Sequence, residues 1–466
     1  MVFSTPVFMF YFLVFTLAIY FVVPRKFRNL VLLISSLFFY YWGEREYVSI
    51  MFLSTVIDYT HGMIVERCKE KGNIKGAKIA VGSSIFFNLA LLVFFKYWDF
   101  LAGSLQAIGI PAPILGIHLP IGISFYTFQT MSYTVDVYRG DTRAQRSILN
   151  FGTFVTLFPQ LIAGPIIKYK DLGDQIDQRT TSADKFAAGV QIFMVGLGKK
   201  LLLANNVGQL WDAYKAMAPG ELTVAGAWLG IVAFSLQLYF DFSGYSDMAT
   251  GLGRMFGFDF LANFNYPYIS KSITEFWRRW HISLGTWFRE YLYIPLGGNR
   301  CSKPRWIFNL LMVWAATGIW HGASWNYLIW GLYFFALLVL EKFLLAKWLN
   351  KAPAAVCHVY TLFLVLVSWA IFAIEDFGQL TAYLQVMFGL GGVPVFNRAF
   401  VYYLVSYLPV LTVAAVASTP AGKLLYHKLS PTWQKVVCLV LVLAGLTVCT
   451  AYLVASTYNP FLYFRF

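Results

Sequence analysis

Long apolar runs recur along this chain of 466 residues and are separated by short polar loops. A helix needs about 20 apolar residues to cross the hydrocarbon core of a bilayer. The pattern therefore predicts an all-α polytopic membrane protein with roughly eleven transmembrane helices. The predicted spans lie near residues 7–23, 30–42, 47–65, 79–95, 186–203, 224–240, 314–331, 332–345, 356–374, 400–416 and 436–454.

Two further apolar stretches contain residues that interrupt helices. They are 119–140, which begins L-P-I-G, and 157–168, which contains F-P-Q-L-I-A-G-P-I. Non-helical backbone is tolerated at membrane depth only where it is buried in protein or lines a cavity. We therefore expect these two stretches to form re-entrant segments.

The region 270–306 is amphipathic and differs from the spans. Its apolar side chains recur at i, i+3, i+4 and i+7 over residues 273–288, which predicts an amphipathic helix. Glu275 is placed to pair with the arginines of W-R-R-W on the polar side. Because His281 follows Trp277 by one helical turn, we expect it to border the buried stripe.

This region is also strongly basic, since only Glu275 and Glu290 oppose its cations. Attraction to anionic lipid at a cytoplasmic interface explains such an excess, and so does recognition of a phosphate-bearing carrier by arginine forks. Both interpretations stay open. Trp277, Arg278, Arg279 and Trp280 are candidate substrate-binding residues. The basic residues are Lys271, Arg278, Arg279, Arg289, Arg300, Lys303 and Arg305.

The composition excludes an ordinary soluble protein. Hydrophobic residues make up 59% of the chain and charged residues 12%, about half the usual charged share. The mean hydropathy is +0.62. We expect a single integral-membrane domain over residues 1–466, with some of the numerous aromatic residues lining an internal cavity.

The net charge of +14 reflects the loops between spans and does not indicate nucleic-acid binding. The loops after the first and third predicted spans are both basic, which places them in the cytoplasm and the N-terminus outside. The first apolar run has neither a basic leader nor a small-residue cleavage site, so we expect a retained helix.

Metal and disulfide chemistry have no support in the sequence. The five cysteines form no C-x-x-C pair, and the six histidines are scattered without ligand spacing. We therefore expect no metal and no bound cofactor.

His321 is the leading candidate for catalysis. It lies within W-A-A-T-G-I-W-H-G-A-S-W-N-Y-L-I-W-G, an apolar stretch rich in tryptophan. An ionisable side chain at membrane depth is a functional candidate by default. The competing interpretation is a histidine that only joins helices by a hydrogen bond. Ser324 and Asn326, close by, are candidate orienting groups or oxyanion donors.

Asp241 and Asp247 lie in a second polar patch, Q-L-Y-F-D-F-S-G-Y-S-D-M-A. The simpler interpretation is that they cap or hydrogen-bond a broken helix. The functional interpretation is that they polarise a base or bind an acceptor hydroxyl, and it makes Asp241 a candidate substrate-binding residue.

Several of these blocks resemble the membrane-bound O-acyltransferase (MBOAT) family, and within it the bacterial AlgI/PatA-like branch that O-acetylates polysaccharides. The resemblance covers most of the chain. DltB, which handles D-alanine for teichoic acids, shares F-W-R-R-W-H but is less similar at both ends. The similar blocks are M-V-F-S, P-I-G-I-S-F-Y-T-F-Q, D-V-Y-R-G, F-P-Q-L-I-A-G-P-I, Q-L-Y-F-D-F-S-G-Y-S-D-M-A, F-W-R-R-W-H-I-S-L-G-T-W-F-R-E-Y-L-Y-I-P-L-G-G-N-R, G-I-W-H-G-A-S-W-N and N-P-F-L-Y-F-R-F.

The resemblance implies a ring of helices around a thin core, pierced by a tunnel between a cytoplasmic and an extracellular funnel. It implies that His321 is the family's near-invariant histidine and His281 its second functional histidine. It also implies acetyl-CoA as the donor, an extracytoplasmic polysaccharide as the acceptor, and a separate SGNH-hydrolase-like or AlgJ/AlgX-like partner. The location implied is the bacterial inner (cytoplasmic) membrane, in contact with membrane lipid.

The residues suit acyl transfer from a thioester. A neutral imidazole works as a base near pH 7, so we expect His321 to act as general base and His281 to assist on the donor side. A covalent acetyl-histidine is the minor variant. Alginate, peptidoglycan, cellulose and other exopolysaccharides stay open as acceptors.

A secondary transporter or flippase is the alternative, with His321, Asp241 and Asp247 forming a proton or substrate path. Transporters of this kind often have two similar halves. Neither the His321 stretch nor W-R-R-W-H is repeated in this chain.

Overall fold

The computed structural model describes residues 1–218, 220–390, 392–455 and 458–462. Within these ranges the fold consists of helices and contains no β-strand, which confirms the predicted all-α class. The α-helices are Leu13–Val22, Arg28–Gly43, Val48–Glu70, Ile74–Leu92, Trp98–Ala107, Ile123–Arg139, Ile148–Thr156, Phe158–Leu161, Tyr169–Asp177, Ala183–Gly198, Asn205–Lys215, Val224–Met255, Ile273–Arg279, Ile282–Phe288, Lys303–His321, Trp325–Leu340, Ala346–Leu349, Ala354–Ala373, Phe377–Met387, Arg398–Ala417, Ala421–His427 and Pro431–Ala455.

Several of these helices continue through short π-helical segments, so that neighbouring helices run on as one. A π turn widens the helix by one residue and is frequent at functional sites. The π segments are Val7–Phe12, Val93–Tyr97, Lys199–Ala204, Arg289–Tyr293 and Glu341–Leu345, and the 3-10 turns are Arg25–Phe27 and Pro267–Ile269.

Eight continuous helices in the described ranges are long and apolar enough to cross a membrane, and Val7–Val22 is apolar but shorter. The predicted total of roughly eleven spans is therefore not confirmed. The eight are Val48–Glu70, Ile74–Ala107, Ala183–Lys215, Val224–Met255, Trp325–Leu349, Ala354–Ala373, Arg398–Ala417 and Pro431–Ala455.

The fold divides into two compact units. Unit 1 comprises Met1–Phe193 and Ser246–Leu261, and unit 2 comprises Met194–Tyr245 and Ala262–Phe466. The candidate site residues lie in unit 2, except Asp247, which lies in unit 1. The expected single domain over residues 1–466 stays a prediction.

Two expectations about broken helices are wrong. The polar patch around Asp241 does not interrupt its helix, because Val224–Met255 is continuous over 32 residues. The stretch after Pro120 is likewise a regular helix, Ile123–Arg139, which begins directly after Gly122. Gly122 adopts a φ of 79°, so the glycine delimits this helix at its start and does not break it.

The second interrupted stretch does break its helix. Ile148–Thr156 ends, the four-residue helix Phe158–Leu161 follows, and the chain is then irregular as far as residue 168. Every residue from 151 to 169 is buried. The expectation of non-helical backbone inside the protein is thus confirmed here, and the re-entrant path stays a prediction.

Three neighbouring helices of unit 1 enclose a group of buried polar side chains, called here the Asp58 cluster. Ser84 Oγ donates to Asp58 Oδ1 at 2.6 Å, and Asn88 Nδ2 donates to both carboxylate oxygens at 3.0 and 2.8 Å. The cluster consists of Asp58, Ser84, Asn88, Thr130 and Thr134. No side-chain nitrogen or oxygen of these residues lacks a hydrogen-bond partner.

Unit 2 contains a buried ion pair that also binds a segment distant in sequence. Lys200 Nζ lies 2.6 Å from Asp241 Oδ1, and both side chains are almost fully buried. Lys200 also donates to the carbonyl of Pro460, and the amide of Leu462 donates to Asp241 Oδ2 at 2.9 Å. The pair therefore fastens residues 458–462 to the interior of unit 2.

Candidate active site

His321 lies at the C-terminal end of helix Lys303–His321. The chain leaves this helix at Gly322 in an extended conformation, and helix Trp325–Leu340 begins after a short turn. The apolar stretch 314–331 is therefore two helix ends joined at the histidine. Because the negative end of a helix dipole lies at the C-terminus, this position favours a positive charge on the imidazole.

The two helices that meet at His321 pack closely through glycines. A Cβ added at Gly318 would collide with the carbonyl of Tyr327, and one at Gly331 would collide with the carbonyl of Trp314. Small residues let helix backbones approach in this way. This contact fixes where the end of the first helix, and hence the imidazole, lies.

Aromatic rings surround the imidazole of His321, which is 6% exposed. The ring centroids of Trp320 and Trp330 each lie 5.0 Å from that of His321, and the centroid of Phe372 lies 5.5 Å away. A cavity of about 10 Å³ adjoins the imidazole, which is space for about one water molecule. The lining residues are Leu238, Phe242, Trp280, His321, Trp330, Trp369 and Phe372.

His281 occupies a break between two short helices. The amphipathic pattern predicted one helix over 273–288, but the chain forms Ile273–Arg279 and Ile282–Phe288 with His281 between them. That prediction is wrong because His281 adopts φ 43° and ψ 54°, the left-handed conformation that a continuing right-handed helix excludes. Burial of the apolar stripe does follow the predicted pattern.

Asn263 contacts His281 and the two residues that follow it. His281 Nδ1 lies 3.2 Å from Asn263 Oδ1, and the same oxygen accepts from the amide and the hydroxyl of Ser283 at 3.1 and 2.9 Å. The amide of Ile282 donates to the carbonyl of Asn263 at 2.9 Å. Burial lowers the pKa of His281 to about 3, so this imidazole is neutral at physiological pH.

The two histidines share aromatic neighbours. The ring centroid of Trp320 lies 6.0 Å from that of His281 and 5.0 Å from that of His321. Phe242 lines the cavity beside His321, and its centroid lies 4.7 Å from that of His281. The fold therefore brings together the two histidines that the sequence places forty positions apart.

The candidate substrate-binding residues of W-R-R-W have different surroundings. Trp280 lines the cavity, and Trp277 packs against Trp330 with centroids 5.6 Å apart. Arg279 pairs with Glu275 at 2.9 Å, as its spacing predicts. Arg278 is exposed to the surroundings.

The three remaining candidates have structural contacts. Asn326 is buried and donates to the carbonyls of Ile371 and Phe372, both at 3.2 Å. Ser324 precedes helix Trp325–Leu340 without a side-chain capping bond. Asp241 binds Lys200 and the later segment, as described above. Their proposed roles in catalysis stay predictions.

Comparison with known proteins decides the class. The sequence profile described as "MBOAT, membrane-bound O-acyltransferase family" matches residues 138–377, a stretch that includes both histidines. The chain belongs to this family. It is therefore a multi-pass membrane O-acyltransferase, and the alternative of a transporter or flippase is not retained.

Curated MBOAT relatives share most of the chain. "Probable alginate O-acetylase AlgI" of Azotobacter vinelandii is 43% identical over 84% of this chain and 79% of its own. The protein of the same description from Pseudomonas putida is 39% identical over the full length of both. "Peptidoglycan O-acetyltransferase" of Helicobacter pylori is 33% identical over 84% of this chain and 81% of its own.

The geometry of this MBOAT chain suits acyl transfer. Transfer from an activated acyl donor requires a protein to position the reactants, accept a proton and exclude water. An imidazole at a helix end is a group that can accept a proton, and the surrounding rings exclude bulk water.

Sequence reasoning missed two residues that bind the segment around His281, Asn263 and Glu341. The carboxylate of Glu341 is buried and accepts from the amide of Ile273 at 2.6 Å and the amide of Thr274 at 3.1 Å. It thus caps the helix that precedes His281. A signal was present, since Glu341 interrupts an apolar run and intramembrane carboxylates are functional candidates by default. Asn263 stood out only as a polar residue in a loop.

Proposed function

We propose that this protein transfers an acetyl group from cytoplasmic acetyl-CoA, across the bacterial inner membrane, for the O-acetylation of an extracytoplasmic polysaccharide. The proposal is supported by the relatives whose descriptions name alginate and peptidoglycan acetylation. The observation that carries it is the imidazole of His321, buried among aromatic rings at a helix end. In this proposal the N-terminus lies outside, and the basic loops support that orientation.

In the proposed reaction, His321 accepts the proton of the acceptor hydroxyl while the hydroxyl oxygen attacks the thioester carbonyl. The tetrahedral intermediate then expels the CoA thiolate, which takes the proton from the imidazolium. The helix C-terminus stabilises the imidazolium between these steps. His281 stays neutral and assists by hydrogen bonding on the donor side.

The acceptor hydroxyl belongs either to the polysaccharide or to an SGNH-hydrolase-like partner that passes the acetyl group on. Either acceptor uses the same base and the same donor. Arg278, exposed beside the site, supplies a charge suited to the phosphates of CoA.

The test uses purified protein in proteoliposomes with labelled acetyl-CoA outside and a hydroxyl acceptor or purified partner present. We expect His321→Ala to lower acetyl transfer about 10²–10⁴-fold, the usual contribution of a general base. The matched control is His427→Ala, at an exposed helix end, which should transfer like wild type. Robust transfer by a folded His321→Ala protein would refute the assignment of the base.

A second comparison tests donor recognition. Arg278→Ala should raise the KM for acetyl-CoA about tenfold, since a charge-assisted hydrogen bond contributes about 1.5–3 kcal/mol. Arg398→Ala, another exposed arginine of unit 2, is the control and should leave KM unchanged. Equal effects of the two variants would favour a general attraction to anionic lipid over CoA binding.

A further inference from the structure

Three hydrogen-bond contacts converge on one oxygen atom of Asn263. They come from the ring of His281 and from the amide and hydroxyl of Ser283, at distances of 3.2, 3.1 and 2.9 Å. Asn263 is 2% exposed and His281 is 1% exposed, so water does not compete for these contacts. The cluster is therefore a closed arrangement with defined donors and acceptors.

The amide of Ser283 fixes which atom of the Asn263 side chain points toward His281. A backbone N–H can only donate, so the atom it meets must be the carboxamide oxygen and not the nitrogen. An oxygen in that place accepts from Nδ1 only if Nδ1 carries the proton. The opposite tautomer would place two lone pairs face to face in a buried site, which is unfavourable.

The other ring nitrogen of His281 then carries a lone pair. Among the described residues Nε2 is buried and has no hydrogen-bond partner. The ring is surrounded by Phe242, Phe264 and Trp320, none of which accepts or donates a strong hydrogen bond through its ring face. A buried acceptor without a partner carries a free-energy cost that a suitable donor would remove.

We propose that Asn263 is a positioning residue that holds His281 as the Nδ1-protonated tautomer, so that Nε2 accepts a hydrogen bond from an N–H or O–H group of a substrate. The part that concerns substrate rests on the proposed acetyl transfer. Metal-binding histidines show the same arrangement, in which the partner of one ring nitrogen determines the role of the other.

The role of the Asn263 side chain can be tested separately from the bonds that hold the loop, because two of those bonds use only backbone atoms. The carbonyl of Asn263 accepts from the amide of Ile282, and the amide of Asn265 donates to the carbonyl of Arg279, both at 2.9 Å. Those two bonds do not involve the Asn263 side chain. A substitution that removes the Asn263 oxygen therefore removes its contacts with the His281 ring and with Ser283, and it leaves these two backbone bonds in place.

The tautomer is measured directly by nitrogen NMR of protein labelled at histidine, with the His281 signals assigned by their loss in His281→Asn. We expect a protonated Nδ1 and an unprotonated Nε2 in wild type and in Ser283→Ala, which removes a hydroxyl from the same oxygen but not the ring contact. Asn263→Asp keeps an acceptor and should keep the Nδ1 proton. Asn263→Leu removes the acceptor and should shift the proton to Nε2 in a substantial fraction of molecules.

A wild-type spectrum with the proton on Nε2 would overturn the proposal, as would an Asn263→Leu spectrum identical to that of wild type. If Asn263→Leu does not fold, the wild-type spectrum still decides the tautomer. This measurement needs no turnover, so it stands whether or not the protein transfers acetyl groups.

The role in catalysis has its own test. Loss of an outer partner of a functional histidine typically costs about 10–100-fold, so Asn263→Leu should lower acetyl transfer by that factor, while Asn263→Asp and Ser283→Ala retain most of it. Suppose that wild type is active and that Asn263→Leu shifts the tautomer but transfers acetyl groups as fast as wild type. That result would overturn the positioning role of Asn263 and leave the tautomer assignment standing. Wild type without transfer, but with the expected tautomer, would refute the proposed function and leave the tautomer assignment standing.

Discussion

The Asp58 cluster of unit 1 and the His281 site of unit 2 are both buried groups of polar side chains, and they differ in how completely their atoms are paired. Every side-chain nitrogen and oxygen of the Asp58 cluster has a hydrogen-bond partner, whereas His281 Nε2 has none among the described residues. Buried polar atoms are normally satisfied, and each exception calls for an explanation.

The two sites show two different uses of buried polar side chains. Full pairing in the Asp58 cluster stabilises the contact between three helices, because each lost partner would leave another buried group unsatisfied. Incomplete pairing at His281 leaves an acceptor available, so a substrate can gain free energy there. Four changes test this distinction, and the first is expected to have the largest effect.

Replacing His281 by asparagine should lower acetyl transfer about 100-fold or more. Asparagine tolerates the left-handed backbone conformation that His281 adopts, so the protein should fold and melt close to the wild-type temperature. Acetyl transfer per folded molecule is the measurement. Wild-type transfer by this variant would mean that His281 is a packing residue like those of the Asp58 cluster.

Replacing Asp58 by alanine should destabilise unit 1 by about 2 kcal/mol or more, because Ser84 and Asn88 lose their acceptor. The melting temperature in detergent measures this loss, and transfer per folded molecule should be unchanged. Asp184→Ala, at an exposed helix start, is the control. A folded Asp58→Ala protein without transfer would show that the cluster has a functional role.

Replacing Glu341 by glutamine should have a smaller effect, about 1 kcal/mol on stability and a several-fold loss of transfer. The amide keeps one acceptor oxygen for the cap but loses the charge and presents a donor to an amide of the helix. Glu275→Gln, on the half-exposed side of that helix, is the control and should change less. If the control changes more, the surface ion pair and not the buried carboxylate holds the segment.

The fourth expected effect is a dependence of stability on pH. Burial lowers the pKa of His281 to about 3, whereas an unfolded histidine titrates near 6.5. Below about pH 6.5 the unfolded state binds a proton that the folded state does not bind, so the free energy of unfolding falls by about 1.4 kcal/mol per pH unit. The melting temperature between pH 7 and pH 5 should therefore fall less for His281→Asn than for wild type, and parallel curves would contradict the neutral, buried state of His281.

Periodicity predicted most of the fold from the sequence, because long apolar runs in a helical protein have few alternatives. Periodicity failed where the conformation of a single residue determines the path of the backbone. The pattern over 273–288 was helical and its apolar face is buried, but it could not reveal that His281 takes a left-handed conformation. Conversely, Pro120 and Gly122 suggested a break where they only mark the start of a helix.

The candidate site was predictable to the extent that it rests on unusual residue types. A histidine among tryptophans in an apolar stretch indicated His321 without any structure. Glu341 carried a similar signal, but the roles of Asn263 and Glu341 were not predictable, because these roles depend on which atoms approach them from distant parts of the chain. Spacing along the sequence does not carry that information.

The ion pair of Lys200 with Asp241 has a consequence for how the protein is made. Lys200 and Asp241 are translated near the middle of the chain, but the groups that complete their hydrogen bonding, the carbonyl of Pro460 and the amide of Leu462, follow more than two hundred residues later. Until then the charges lie in an apolar setting with part of their pairing missing, which is costly. A nascent chain in the membrane is therefore chemically distinguishable from a finished one, and its maturation is complete only when residues 458–462 insert beside this pair.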